Sequence, residues 1–210
     1  MTLYPKQSFI VTGEIATGKS SVAQVLYEKL AQSEVFDADK CVQELWSQEA
    51  IQQQIKIAFD LERQIKDTVE LKALLLKKLI ENPCKKKALE AILHPEVERA
   101  WLHSYQAWLK DKNKSYFISE IPLLHSQESS PYQGEVILVS IPPSLQIQRL
   151  RQRLSSKGIQ AKDEQQSMID FYLQAQRSWR YNQSKADYFI WNVQGEIFLK
   201  TQIDTIINHA

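Results

Sequence analysis

The chain has 210 residues, enough for one compact α/β domain with an insertion, and its 43% apolar and 24% charged residues are ordinary for a soluble globular protein. Lys plus Arg number 26 and Asp plus Glu 25, so the net charge of +1 gives no argument for a nucleic-acid or membrane partner. Cys41, Cys84 and the four histidines show no metal-ligand spacing, residues 1–8 lack a signal-peptide pattern, and no window approaches the roughly 18 apolar residues of a membrane span, so a cytoplasmic protein with reduced thiols is expected.

In chain order, a short apolar strand is predicted at 8–12. A helix at 20–32 follows, with Val22, Val25, Leu26 and Leu30 on one face, then a second strand at 34–37. Residues 46–113 are mostly helical in pattern. They include 68–81, which carries Val69, Leu71, Leu74, Leu75 and Leu79, and 95–112, which opens with Pro95 at a first helical position. Strands at 116–121 and 136–141 come next, then a long polar helical stretch at 149–180, then a fifth strand at 188–192. Strands alternating with helices predict a three-layer α/β fold, a five-stranded parallel sheet covered on both faces. About 80 residues between strands two and three far exceed one crossover. The expected organisation is therefore a core of 1–45 and 114–210 with a helical insertion at 46–113. The stretch at about 149–180 has the composition of a mobile helical lid.

Gly13-Glu14-Ile15-Ala16-Thr17-Gly18-Lys19-Ser20 fits G-x-x-x-x-G-K-[ST], with a strand before it and an amphipathic helix after it, as the mechanism requires. Consecutive backbone N–H groups and the helix N-terminus would cradle the β- and γ-phosphates of a nucleoside triphosphate. Lys19 would meet the phosphates as a point charge, and the Ser20 hydroxyl would ligate Mg²⁺. Two residues are unusual: Glu14 puts an anion near the phosphates, and Ala16 stands where such loops often carry Gly. If position 16 needs φ > 0, Ala costs about 1 kcal/mol there.

The base-reading N-K-x-D and the D-x-x-G of a GTPase are absent, and Asn113-Lys114-Ser115-Tyr116 lacks the Asp. No ABC-type signature occurs either, which leaves the small-molecule kinases. Asp37-Ala38-Asp39 follows the second strand, at the sheet edge where ligands of open α/β sheets bind. Asp39 is open to two readings, a base that takes the proton of an acceptor hydroxyl or an N-cap of the helix after it. Glu120, ending the third strand, is a metal-holding carboxylate or a polar strand end. Arg149 and Arg153 share a helix face, and either contact adenine and phosphate or belong to a solvated basic helix. Lys85, Lys86 and Lys87 read as a solvated face, and Trp101, Tyr105 and Trp108 as core packing.

Together these residues resemble the dephospho-CoA kinase family, in order along nearly the whole chain. The loop from Thr12 to Ser21 is similar to that family's phosphate loop, and Phe36-Asp37-Ala38-Asp39 to its acidic motif. Leu93-His94-Pro95 resembles its L-H-P element, and Glu120-Ile121-Pro122-Leu123-Leu124 its D-I-P-L-L. Gln146, Arg149 and Arg153 resemble the start of its lid; Gln176, Ala186-Asp187-Tyr188 and Asn192 with Gly195 resemble its closing segment.

The resemblance implies ATP and Mg²⁺ and phosphorylation of the ribose 3′-hydroxyl of dephospho-CoA, by a nucleotide core with a helical acceptor-binding insertion and a lid. It further implies that Gly13, Ala16, Thr17, Gly18, Lys19, Ser20, Ser21, Arg149, Arg153 and Asn192 hold the nucleotide. Lys19, Asp39 and Arg149 would serve catalysis, Asp39, His94, Pro122 and Leu123 the acceptor, and Ser20 and Glu120 the metal. A monomer or small homo-oligomer is expected.

Departures from the family pattern are Gln43 and Tyr172 where Arg is common, and Ser126 and Leu154 where an acid is common. A lost Arg contact weakens a grip on phosphates. Two other readings therefore stand beside this one: a kinase for another small hydroxyl acceptor, and a non-catalytic nucleotide-binding protein.

Overall fold

The structure is a computed structural model and describes residues 6–61, 65, 67–122, 124, 131–176 and 186–209. The chain divides into two compact units, one of Met1–Asp37 with Ser104–Ala210 and one of Ala38–His103.

The larger unit is built on five parallel strands, β1 (Gln7–Thr12), β2 (Ser33–Asp37), β3 (Tyr116–Glu120), β4 (Glu135–Ser140) and β5 (Tyr188–Trp191), in the order β2-β3-β1-β4-β5. All five lie where the sequence predicts them, within two residues at each end. Phe9, Ile10 and Val11 of β1 are fully buried, as are Val136 and Ile137 of β4. Such unbroken apolar runs mark strands covered on both faces. One covering layer is formed by α1 (Lys19–Lys29) and α8 (Glu196–His209), whose Val22, Val25, Leu26, Leu199, Ile203 and Ile206 pack with Phe9, Val11, Ile118, Val139 and Ile190. Lys29 and Asp204 add an ion pair of 2.6 Å between these two helices.

α1 ends earlier than its apolar periodicity predicts. Leu30 takes an extended conformation and Gln32 sits at φ 61, turning the chain into β2 while the Gln32 carbonyl accepts the Ser115 N–H at 2.9 Å. At the entrance to β3, Trp108, Tyr105 and Phe117 pack with ring centroids 5.3–5.5 Å apart. Lys6 donates to the carbonyls of Trp108, Asp111 and Lys114, a favourable place for a cation at a helix C-terminus.

α6 (Pro143–Ser156) and α7 (Lys162–Gln176) form a hairpin with its own apolar seam of Leu150, Leu154 and Ile169. Tyr172, where the family pattern has Arg, packs into this seam with Phe171 beside it at 5.8 Å. Leu154 is a seam residue as well, so an acid at that position would be buried among apolar side chains.

The smaller unit is helical: α2 (Ala38–Leu45), α3 (Glu49–Ala58), α4 (Thr68–Glu81) and the first part of α5 (Lys86–Lys110), with a 3₁₀ turn at Pro83–Lys85. Leu71, Leu75 and Leu79 are buried one turn apart along α4, and the Asp67 side chain accepts the Glu70 N–H at 2.8 Å as its N-cap. Pro95 corrects the sequence reading. It lies inside the 25-residue α5 rather than at a helix start. Proline removes one helical hydrogen bond and crowds the preceding turn. The helix continues because Leu93, Val97 and Trp101 form a buried stripe that runs through Pro95. Among the described residues no helix is long and apolar enough to cross a membrane.

Asp67→Ala should lower the urea unfolding midpoint by the equivalent of about 1 kcal/mol, the usual worth of an N-cap, while Asp67→Asn should leave it nearly unchanged.

Candidate active site

The chain reverses direction across the sheet at β1, since β2 and β3 lie on one side of it and β4 and β5 on the other. Ligands of open α/β sheets bind at the carboxyl ends of strands near such a point. Here β1 ends at Thr12, fully buried, whose hydroxyl accepts the Leu124 N–H at 3.1 Å. Gly13 follows at φ 147, and a Cβ on it would lie 2.3 Å from the Val139 carbonyl oxygen. Only glycine lets the chain leave the sheet beside β4.

The loop then turns through Ala16 at φ 60 and Gly18 at φ 93, two left-handed residues separated by Thr17. Alternation of this kind makes a nest, in which amide N–H groups converge on an anion and carbonyls point outward. Those carbonyls are all claimed. The Glu14 carbonyl accepts from Thr17 Oγ1 at 2.9 Å and from Lys19 Nζ at 3.0 Å, and the Ile15 carbonyl from Gln146 Nε2 at 2.9 Å. Arg149 Nη1 donates to the carbonyls of Ala16 (3.5 Å) and Thr17 (3.2 Å), and Asn192 Nδ2 donates to that of Thr17 at 2.9 Å. Arg149 Nη2 closes the set on the Asn192 carbonyl at 2.9 Å.

Gly18 is the N-cap of α1. It provides no side-chain cap, and no acidic residue occupies the first helical turn. This is the electrostatic setting that favours an exogenous anion at a helix N-terminus. Lys19 is buried, so its charge is held at the loop rather than dispersed in water.

Ser20 Oγ donates to Glu120 Oε1 at 2.8 Å. Glu120 is buried at the end of β3, in register with Val11 on β1 and Asp37 on β2, so three strand ends meet there. A hydroxyl beside a carboxylate is an all-oxygen donor set that fits a hard divalent cation. Among the described residues no group of three His, Cys, Asp or Glu could hold a metal by itself. A magnesium ion that takes its remaining ligands from phosphates and water needs none.

Of the residues singled out in the sequence, Gly13, Ala16, Thr17, Gly18, Lys19, Ser20, Glu120, Arg149 and Asn192 are thus assembled around one loop. Ser21 is exposed on α1, and Arg153 is exposed one turn beyond Arg149. Pro122 is half-buried just after β3, whereas Leu123 and Ser126 lie outside the described residues. Asp39 is an exposed residue in the first turn of α2, which begins at Ala38 directly after β2, so it lies inside the helix rather than ahead of it as an N-cap. His94 and Gln43 are exposed on α5 and α2 of the helical unit.

Two contacts were not legible in the sequence. The Ile15 N–H donates to Gln176 Oε1 at 3.1 Å, and the Glu14 carboxylate accepts from Gln146 Nε2 at 3.2 Å. Glu14 therefore turns toward α6 instead of lying as a lone anion at the phosphates. The available signal was the placement of Gln146 three residues before Arg149, on the same helix face.

Strand order, loop and serine–carboxylate pair define a P-loop phosphotransferase. A sequence profile of the dephospho-CoA kinase family matches residues 9–196. Dephospho-CoA kinase from Campylobacter jejuni is 29% identical over 191 residues, covering 89% of this chain and 88% of its relative. A solved structure of dephospho-CoA kinase from Campylobacter jejuni superimposes with a TM-score of 0.58 at 26% identity, over 97% of this chain and 96% of that one. A Thermus thermophilus structure superimposes with a TM-score of 0.70 at 21% identity, over 98% and 97% of the two chains, a likeness of fold. The chain belongs to the dephospho-CoA kinase family.

Gly18→Ala places a Cβ 2.2 Å from Asn192 Nδ2 at φ 93. It should cost more than the about 1–2 kcal/mol of left-handed strain alone. The double variant with Asn192→Ala should be less destabilised in urea than the sum of the two single changes, because the clash is then gone.

Proposed function

We propose that this protein transfers the γ-phosphoryl group of ATP to the ribose 3′-hydroxyl of dephospho-coenzyme A, releasing ADP and coenzyme A, the last step of coenzyme A biosynthesis. The observation that carries this reading is a complete phosphate loop, with Lys19 and the Ser20–Glu120 pair in place, inside a family match that spans residues 9–196.

The amides of the loop and the α1 N-terminus receive the β- and γ-phosphates, and Lys19 adds a fixed positive charge. Ser20 and Glu120 are the residues that would hold Mg²⁺, which when bound neutralises phosphate charge. Asp39 accepts the proton of the 3′-hydroxyl as that oxygen forms its bond to the γ-phosphorus and the bond to the β–γ bridging oxygen breaks, leaving ADP. Arg149, whose two Nη atoms are tied to carbonyls, keeps the faces of its guanidinium for stacking on adenine. Arg153, one turn on and exposed, pairs with phosphate. His94 and Pro122 with Leu123 contribute to the acceptor site, and 46–113 is the acceptor-binding insertion. Residues at about 149–180 act as the lid. The protein works in the cytoplasm as a monomer or small homo-oligomer, with no nucleic-acid or membrane partner.

ADP release from ATP and Mg²⁺ should depend on dephospho-CoA, with a product one phosphate heavier by mass. ATP binding without turnover on dephospho-CoA would instead select another acceptor or a non-catalytic role. Asp39→Asn should leave ATP affinity within about twofold and lower kcat by about 10² or more, the usual worth of a general base; an unimpaired kcat removes Asp39 from that role.

A further inference from the structure

We propose that Gln176 is a positioning residue for ATP: from the end of α7 it holds the apex of the phosphate loop in its nest form, with Gln146 of α6 as its partner. The proposal rests on the reading of the loop as the triphosphate site.

Both polar groups of Ile15 are held by side-chain amides from the two helices of one hairpin. Its N–H donates to Gln176 Oε1 at 3.1 Å, and its carbonyl accepts from Gln146 Nε2 at 2.9 Å. The same Gln146 amide reaches the Glu14 carboxylate at 3.2 Å. The side chains of Ile15 and Ala16 pack on the Leu150, Leu154 and Ile169 seam of that hairpin. Three successive residues, none of them glycine, are therefore anchored by side chain or peptide to α6 and α7. They occupy variable positions of G-x-x-x-x-G-K-[ST], positions that the phosphate motif leaves open.

The anchoring has a physical purpose. Ala16 is held at φ 60, a conformation an L-residue keeps only when its surroundings enforce it. Released from the hairpin, the loop would relax toward ordinary dihedrals, and its amides would diverge. ATP would then have to order the loop as it binds, which lowers affinity. An uncharged amide suits the task. A lysine or arginine at 176 has no acceptor for the Ile15 N–H, and a carboxylate would add an anion near the triphosphate. A loop anchored in this way couples nucleotide affinity to the seating of α7, a link that acceptor binding need not share.

Gln176→Leu and Gln146→Leu each test the idea, with Gln176→Glu as the variant that keeps the acceptor. Amide exchange at Ile15 is measured in the ligand-free protein, ATP affinity by calorimetry, and kinetics with dephospho-CoA. Gln176→Leu should speed Ile15 exchange by about tenfold or more and weaken ATP about fivefold to tenfold, the worth of one hydrogen bond. The KM for dephospho-CoA and kcat at saturating ATP should stay within about twofold. Gln176→Glu should retain the slow Ile15 exchange. Gln146→Leu should weaken ATP in the same range, which keeps the test intact if Gln176→Leu fails to fold. Unchanged ATP affinity in both leucine variants, or a loss confined to kcat or to dephospho-CoA, overturns the proposal. If the wild-type protein binds ATP but does not phosphorylate dephospho-CoA, while the leucine variants weaken ATP as stated, the functional reading fails and this one stands.

Discussion

The structure depends on the outward-facing carbonyls at the end of β1. A loop that turns its amides toward an anion must turn its carbonyls away, and a buried carbonyl without a donor is costly. The Ile15, Ala16 and Thr17 carbonyls are met by Gln146, Arg149 and Asn192, side chains drawn from α6 and from the end of β5. Segments more than 130 residues apart in sequence are thereby committed to one eight-residue loop. The same side chains explain why the loop tolerates Glu14, Ile15 and Ala16: each is used by the hairpin.

The sheet supplies the frame for this arrangement. Parallel strands place their carboxyl ends at one edge, and the register brings Val11, Asp37 and Glu120 level there. Glu120 meets Ser20 because β3 pairs with β1 and α1 starts directly after the loop. A slip of one residue in β3 would send Glu120 to the opposite face. The sheet core on one side, formed with α1 and α8, is thus tied to the chemistry by strand register and by the start of α1 directly after the loop.

The departures from the family pattern take on physical meaning in the hairpin. Tyr172 and Leu154 are packing residues of the α6–α7 seam, so these positions serve the stability of the element that grips the loop. Gln43 is exposed on α2, in the helical unit, and nothing in the structure explains its replacement of Arg.

The five strands, the phosphate loop and the family were legible from residue order, because each rests on local pattern: short apolar runs, glycines at fixed offsets, and motifs in a fixed order. The sequence placed Lys19, Ser20, Glu120, Arg149 and Asn192 in one site through motif and resemblance. It misplaced Pro95, since local preference puts proline at a helix start, whereas the buried stripe of Leu93, Val97 and Trp101 carries α5 through it. How the loop is held emerges from the folded arrangement of α6 and α7 around it. The partners of Ile15 are Gln146 and Gln176, more than 130 residues away, and a glutamine on a polar helix carries no sign of which backbone group it will meet. Periodicity reports which face of an element is buried; the pairing of a side-chain amide with one particular peptide depends on where folding brings the two elements together.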